Sequence, residues 1–225
     1  MSTALRVVTW NVHGSARPNP LAIAKVLASS EPDVICLQEV RRPTAFAVAA
    51  ALDWADPVWA FKHNAYIWRR SYAEGIAILT RHPIVSTRST VLSRGKPRTS
   101  YRRRIVLEAT LRSASSGDHI VVANTHLSTE PSDRAKQTER LIRFTPASSI
   151  IAGDLNDNAA GPSLAMLSTA GWSNPGPAEP EWRVDFVLTP RGSTGTPVAS
   201  PVPIPEIDAL SDHRLIVVDV IQASA

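Results

Sequence analysis

Short apolar runs broken by turn residues recur from one end of this 225-residue chain to the other, and their number is the strongest constraint on its fold. Runs at 5–11, 34–37, 75–79, 84–92, 105–111, 119–125, 149–152, 182–188 and 215–221 have strand-like lengths and are too short for stable helices. Residues 57–70, with Trp59, Phe61, Tyr66 and Trp68, read as the short strands of a hairpin. The proline-rich stretch 190–211 reads as irregular, with one edge strand at 197–202. Helical spacing appears at 20–30, where Ile23, Val26 and Leu27 share a face, at 44–52, at 131–143 behind Pro131, and from Pro162 to Gly171. About ten to twelve strands with four or so helices are too many strands for one doubly wound sheet. Two sheets packed face to face, with helices outside, bury them.

The remaining bulk properties narrow the class. Hydrophobic residues at 44% and charged residues at 20% describe a folded chain rather than a disordered one. No apolar run approaches the roughly 18 residues of a membrane span. An apolar strand already begins at Leu5, which leaves no room for a signal peptide, so a single cytoplasmic, monomeric domain is expected. The lone Cys36 forbids an internal disulfide and, within Val34-Ile35-Cys36-Leu37, reads as a small core residue.

The net charge of +4 is concentrated. Arg94, Lys96, Arg98, Arg102, Arg103 and Arg104 fall within residues 94–104, which hold no acid. Such a patch suits a polyanionic or phosphorylated partner, nucleic acid included. A charge run is more often a solvated, mobile loop. Tyr101 is the one interleaved aromatic, so a platform for stacking single-stranded bases is not indicated.

Polar residues sit where these strands end: Asn11, Glu39, His126, Asp154 with Asn156, Asp185, and Asp212 with His213. The strand–helix–strand order over 5–37 implies a right-handed parallel crossover, which sets Asn11 and Glu39 at one sheet edge. Gly153-Asp154-Leu155-Asn156-Asp157 follows an apolar run and delivers two carboxylates and an amide at a single edge. A carboxylate acceptor beside an amide donor suits activation of a water next to an anion, although the same pentapeptide serves equally as a turn. Asp185 lies within an apolar strand and needs a cation or histidine partner, for which His213 is available. Several carboxylates without cysteine ligands favour Mg²⁺ or Mn²⁺ over a structural zinc. No Gly-rich phosphate loop and no Gly-x-Ser-x-Gly elbow occurs, which leaves metal-assisted hydrolysis with acid–base help as the chemistry.

Seven stretches carry a resemblance: Thr9-Trp10-Asn11-Val12-His13-Gly14, Leu37-Gln38-Glu39-Val40, Gly75-Ile76-Ala77-Ile78-Leu79-Thr80-Arg81, Asn124-Thr125-His126-Leu127, Gly153-Asp154-Leu155-Asn156, Arg183-Val184-Asp185-Phe186 and Ser211-Asp212-His213. In that order they resemble the endonuclease/exonuclease/phosphatase superfamily, whose fold is DNase I-like. The resemblance implies a four-layer α/β/β/α sandwich of two packed mixed sheets with its site at one rim. It implies Glu39 as main metal ligand with Asn11 and Asp212 nearby, and Asp154 as the residue that orients and deprotonates water. It further implies that Asn156 and His213 hold phosphoryl oxygens, that Asp185 bonds His213, that His126 assists the leaving group, and that Glu74 supports His126. The abasic-site branch usually opens with Asn-Gly-(Ile/Leu)-Arg-Ala and carries Tyr where His126 stands; neither is present. The cysteines of the secreted nucleases are also missing.

The expectation is therefore a Mg²⁺- or Mn²⁺-dependent phosphoesterase, a phosphodiesterase first, acting on nucleic acid or on a small or lipid phosphoester. A phosphomonoesterase of the same superfamily, or a non-catalytic binding module on the same fold, are the alternatives.

Overall fold

The computed structural model describes residues 4–64, 73–95, 100, 102–113, 117–176 and 183–222. β1 (Leu5–Asn11) leads into a 3₁₀ turn (Gly14–Ala16) and then α1 (Pro20–Ala28). Pro20 occupies the first turn of α1, where its missing N–H costs nothing, and the Asn19 side chain caps Leu21 N at 2.9 Å. β2 (Val34–Arg41) follows, then α2 (Arg42–Ala51), β3 (Val58–Asn64) and β4 (Ala73–Thr80). The second half runs β5 (Ile84–Val91), β6 (Ile105–Arg112), β7 (His119–His126), α3 (Pro131–Phe144), β8 (Ile150–Asp154), α4 (Pro162–Thr169), β9 (Trp172–Ser173) and β10 (Asp185–Pro190). β11 (Thr194–Val198), α5 (Ile204–Asp208) and β12 (Ile216–Ile221) then return to the first sheet.

Among the described residues these strands form two six-stranded sheets, ordered β11-β12-β1-β2-β4-β3 and β5-β6-β7-β8-β10-β9. Each holds one parallel pair joined across a helix, β1 with β2 and β7 with β8, and its other pairings are antiparallel. Side-chain alternation splits each central strand between two cores. Leu5 and Val7 join Cys36, Ile78, Leu107, Val122, Ile150 and Val187 in the layer between the sheets. Val8 and Trp10 turn the other way and pack with Ile23, Leu27, Val48 and Ile207 under α1, α2 and α5. Val106, Ile151 and Phe186 do the same under α3 and α4, with Leu141 and Leu164. The α/β/β/α sandwich is thus built from strands with two apolar faces. Cys36 is fully buried in the inter-sheet layer.

The structure moves several elements. The alternation of Ile105, Leu107, Ala109 and Leu111 with polar or exposed neighbours reads as a half-buried strand, but Leu107 and Ala109 face the opposite sheet, Val106 faces the helices, and Glu108, 4% exposed, is bonded by Arg88 Nε at 2.6 Å. Alternation misleads here because a strand covered on both faces can bury a polar residue if that residue is paired. Residues 58–64 form one strand, paired antiparallel with β4; the rest of the stretch read as a hairpin, Tyr66 and Trp68 included, lies outside the described residues. The edge strand is Thr194–Val198, earlier than 197–202, and the stretch read as irregular contains α5. Pro197 is tolerated there because β11 is an edge. Asp185 opens β10 instead of lying inside a strand. No helix among the described residues is long and apolar enough to cross a membrane.

Candidate active site

Strand direction alone gathers the polar residues. β1 and β2 end at Asn11 and just past Glu39; β7 and β8 end at His126 and Asp154. β4, β10 and β12 run antiparallel to their neighbours, so they begin at that rim and bring Glu74, Asp185 and, just before β12, His213. Asp185 is the register partner of Asp154, and His126 is the register partner of Asp154 on the other side.

Local backbone strain aims these groups. Glu39 has φ 52, inside a bulge where the β2–β4 register shifts between Leu37 and Val40. Asn156 has φ 50 and His13 φ 48, a conformation non-glycine residues seldom adopt. Gly14 is required beside Glu39, because a Cβ there would lie 1.8 Å from the Glu39 carbonyl oxygen. Gly153, with φ 145, is required before Asp154, because its Cβ would lie 2.0 Å from the Thr125 carbonyl oxygen.

Asp154 is the hub. Its Oδ2 accepts from Asn11 Nδ2 at 3.1 Å and its Oδ1 from Asn156 N at 2.9 Å. His126 Nε2 stands 3.5 Å and His213 Nε2 3.9 Å from Oδ2. Burial, reinforced by Asp185, pushes the Asp154 carboxyl up to about 7. Asn156 Nδ2 donates to Leu127 O at 2.9 Å. His213 Nδ1 lies 2.7 Å from Asp185 Oδ2. Burial works against charge on that ring, but the hydrogen bond and charge of Asp185 prevail and raise His213 to about 9. Ser211 Oγ donates to Asn11 O at 2.6 Å and accepts from His213 N at 3.1 Å, and Trp10 Nε1 donates to His213 O at 3.0 Å. These bonds tie the loop before β12 to the end of β1.

Two expected residues stand apart. Asp212 has a side chain 67% exposed and pairs with His13 Nδ1 at 3.2 Å. Glu74 is buried on β4 and pairs with His63 Nε2 at 3.6 Å, not with His126; burial pushes its carboxyl up to about 7. The group beside His126 Nδ1 is instead Lys62 Nζ, at 3.1 Å.

Lys62 escapes a reading of strand ends because it lies one turn of the pleat inside β3. The signal was present: Val58 and Ala60 face the inter-sheet layer, and period two carries Lys62 onto the same face. Gln38 and Asn124 also gain a role. Gln38 Nε2 donates to Thr9 Oγ1 at 2.9 Å and to Asn124 Oδ1 at 2.8 Å, and Asn124 Nδ2 donates to Leu37 O at 3.0 Å and Ala77 O at 2.8 Å. This buried amide clamp joins the sheets one residue from Glu39 and two from His126. The basic stretch divides. Arg94 and Arg102 are exposed, Arg103 donates to the carbonyls of Phe61 and Lys62, and Arg104, 8% exposed, donates to Leu127 O at 3.1 Å. Lys96 and Arg98 lie outside the described residues.

Two carboxylate arrangements are candidates for a cation. Asp154, Asp185 and His213 place ligand atoms within 4.8 Å of one another. There, however, Asp185 already serves an imidazole held in its charged form, which is no ligand. The Glu39 carboxylate accepts no hydrogen bond from the described residues and has only Lys62 Nζ at 4.0 Å and His126 Nδ1 at 3.9 Å, beside the Asn11 amide that contacts Asp154. An open, half-buried carboxylate fits a hard divalent ion better than the histidine cluster does. A concavity of about 590 Å³ at the opposite end of the first sheet is unrelated: its Arg6 and Arg81 are paired with Asp219 and Asp33.

The sequence model of the Endonuclease/Exonuclease/phosphatase family matches residues 8–213, and the chain belongs to that family of phosphoester hydrolases. Among solved structures, an endonuclease/exonuclease/phosphatase from Beutenbergia cavernae aligns over 99% of this chain and 72% of its own, with a TM-score of 0.80 and 22% identity. The human nocturnin catalytic domain, solved with a bound sulfate anion, aligns over 98% and 95% with a TM-score of 0.76 and 18% identity. A mannosyl-6-phosphatase from Bacteroides thetaiotaomicron aligns over 96% and 99% with a TM-score of 0.68 and 17% identity. At these identities the likeness is one of fold. No curated protein matches the sequence.

Proposed function

We propose that this chain is a divalent-metal-dependent phosphodiesterase that hydrolyses its substrate by in-line attack of water. One observation carries the reading: Asp154 lies in contact with Asn11, Asn156, His126 and His213 at a single rim, with Glu39 open beside them. Family membership supports it. Glu39 and the Asn11 side chain would hold Mg²⁺ or Mn²⁺, with Asp212 reaching the ion only after leaving His13. Held there, such an ion would supply positive charge against that growing on phosphoryl oxygens.

The chain's own residues account for the remaining steps. Asp154, raised to about 7 by burial, is poised to orient a water and take its proton near neutral pH. His213, held cationic by Asp185, binds a phosphoryl oxygen together with the Asn156 side chain. His126 stands next to Asp154 on β7 and meets the leaving-group oxygen.

The assay is hydrolysis of bis-p-nitrophenyl phosphate and of p-nitrophenyl phosphate, with Mg²⁺ or Mn²⁺ and with chelator. The diester is expected to be cleaved faster, chelator to stop the reaction, and Asp154→Ala or His213→Ala to lower kcat by about 10²–10⁴. Faster monoester cleavage would turn the assignment to a phosphomonoesterase. Full activity in both variants would remove Asp154 and His213 from the catalytic machinery, and a wild type that hydrolyses neither ester would favour a binding module.

A further inference from the structure

Lys62 has no part in the mechanism above, yet it is fully buried and touches the site. Its position costs free energy: removing an ammonium from water is expensive unless hydrogen bonds and counter-charges compensate. An apolar side chain would continue the inward face of Val58 and Ala60 without that cost. Among the described residues its nearest partners belong to the site: His126 Nδ1 at 3.1 Å and Glu39 Oε1 at 4.0 Å.

We propose that Lys62 is a positioning residue that holds His126 in the tautomer with its proton on Nε2, so that the ring presents an N–H donor to the leaving-group oxygen. The inference rests on the phosphoesterase reading for the identity of that oxygen. The argument for the tautomer is one of donors and acceptors. An ammonium has three donors and no acceptor, so an imidazole nitrogen facing it must offer its lone pair. With Nδ1 accepting, the ring proton resides on Nε2. Nε2 faces Asp154 Oδ2 at 3.5 Å, too long for a strong bond, which leaves its N–H available to an oxygen docked beside Asp154.

The other groups around the ring agree. Glu39 Oε1 is 3.9 Å from Nδ1 but shares the ammonium, which lies closer to that nitrogen. Against burial and the charge of Arg104, the neighbouring charges of Glu39, Glu74 and Asp154 favour the ammonium. Arg103 donates to the carbonyls of Phe61 and Lys62, at 2.7 and 2.9 Å, and so fixes the end of β3 that carries the lysine. A carboxylate in the place of Lys62 would have the reverse effect, holding the proton on Nδ1, as Asp185 does for His213.

Long-range ¹H–¹⁵N correlation spectra of the full, metal-free chain with labelled histidine read the tautomer directly. Wild type should show His126 protonated on Nε2 alone. Lys62→Met, which keeps the length and loses the donor, should move the proton to Nδ1 or to a mixture. With diester substrate and metal it should lower kcat by about 10²-fold with KM little changed. In a His126→Ala background the same substitution should cost nothing further. A wild-type ring protonated on Nδ1, or a Lys62→Met loss that persists without His126, overturns the proposal. If Lys62→Met does not fold, the wild-type spectrum decides alone. If wild type cleaves no phosphoester while the tautomer is as stated, the proposed function fails and the assignment of Lys62 to the ring stands.

Discussion

His213 and His126 approach the same carboxylate oxygen, Asp154 Oδ2, at 3.9 and 3.5 Å, and differ in what stands behind them. Behind His213 is Asp185, which overcomes burial and raises the ring to about 9. Behind His126 is Lys62; there burial, then the charges of Lys62 and Arg104, hold the ring well below the usual imidazole range. One site thus holds a charged and a neutral imidazole at the same pH. The difference comes from the deeper burial of His126 and from the Nδ1 partner of each ring, not from the imidazole itself.

The largest expected effect comes from the His213 side. Asp185→Asn keeps an acceptor near Nδ1 and removes the charge. It should lower kcat by about 10²–10³, on the scale of general acid–base contributions. Proton NMR of the metal-free protein should show His213 falling from about 9 towards the ordinary 6.5, with His126 changing only through the lost His213 charge and staying below the usual imidazole range. The sign for stability follows from the raised folded value. The stabilisation from this pair is fully present below about pH 6.5 and is lost as pH rises through about 9, so the variant should lose that alkaline slope. A wild-type His213 that titrates near 6.5 would erase the contrast between the two rings.

How much of this contrast a sequence can carry differs between the halves. The strand ends bearing Asn11, Glu39, Asp154, Asp185 and His213 were legible because apolar runs stop there and polar residues follow, and the two-sheet sandwich was legible from the number of such runs. Lys62 was missed because it sits inside a run and not at a strand end, where only period two from Val58 and Ala60 marks its face. Glu74 was assigned to His126 by resemblance, but His63, next to Lys62 on β3, takes that carboxylate. Asp212 sits beside His213 in sequence, yet in the bend between α5 and β12 its carboxylate faces His13 and solvent. Arg104 ends a basic run that reads as solvated, and folding draws it under the rim to the Leu127 carbonyl.

An intermediate effect should come from the clamp that both halves share. Asn124→Ala takes the donating amide from the Leu37 and Ala77 carbonyls in a fully buried place. Buried groups left unsatisfied cost about 1–3 kcal/mol each, so about 3 kcal/mol is expected. Tm should fall by about 6–12 °C for a chain of this size. Because Asn124 joins β2 to β7, the His126 environment should change while the Asp185–His213 pair, on β10 and before β12, keeps its titration. Equal disturbance of both rings would mean that the two sheets move as one body around the site.

The smallest effect should come from two arginines of the basic stretch, which resemble each other in sequence and differ in attachment. Arg103 is bonded to β3, whereas Arg94 is exposed. Arg103→Ala should loosen the strand end that carries Lys62, lower kcat a fewfold, and shift the His126 spectrum with His213 unchanged. Arg94→Ala should leave both rings and small-substrate turnover as they are. If nucleic acid is the substrate, Arg94→Ala should weaken binding evenly across sequences and reduce the salt slope of log K by about one. An unaltered salt slope in Arg94→Ala, together with tight binding that ignores salt in the wild type, would favour a small phosphodiester and leave Arg103 as a brace for the neutral histidine.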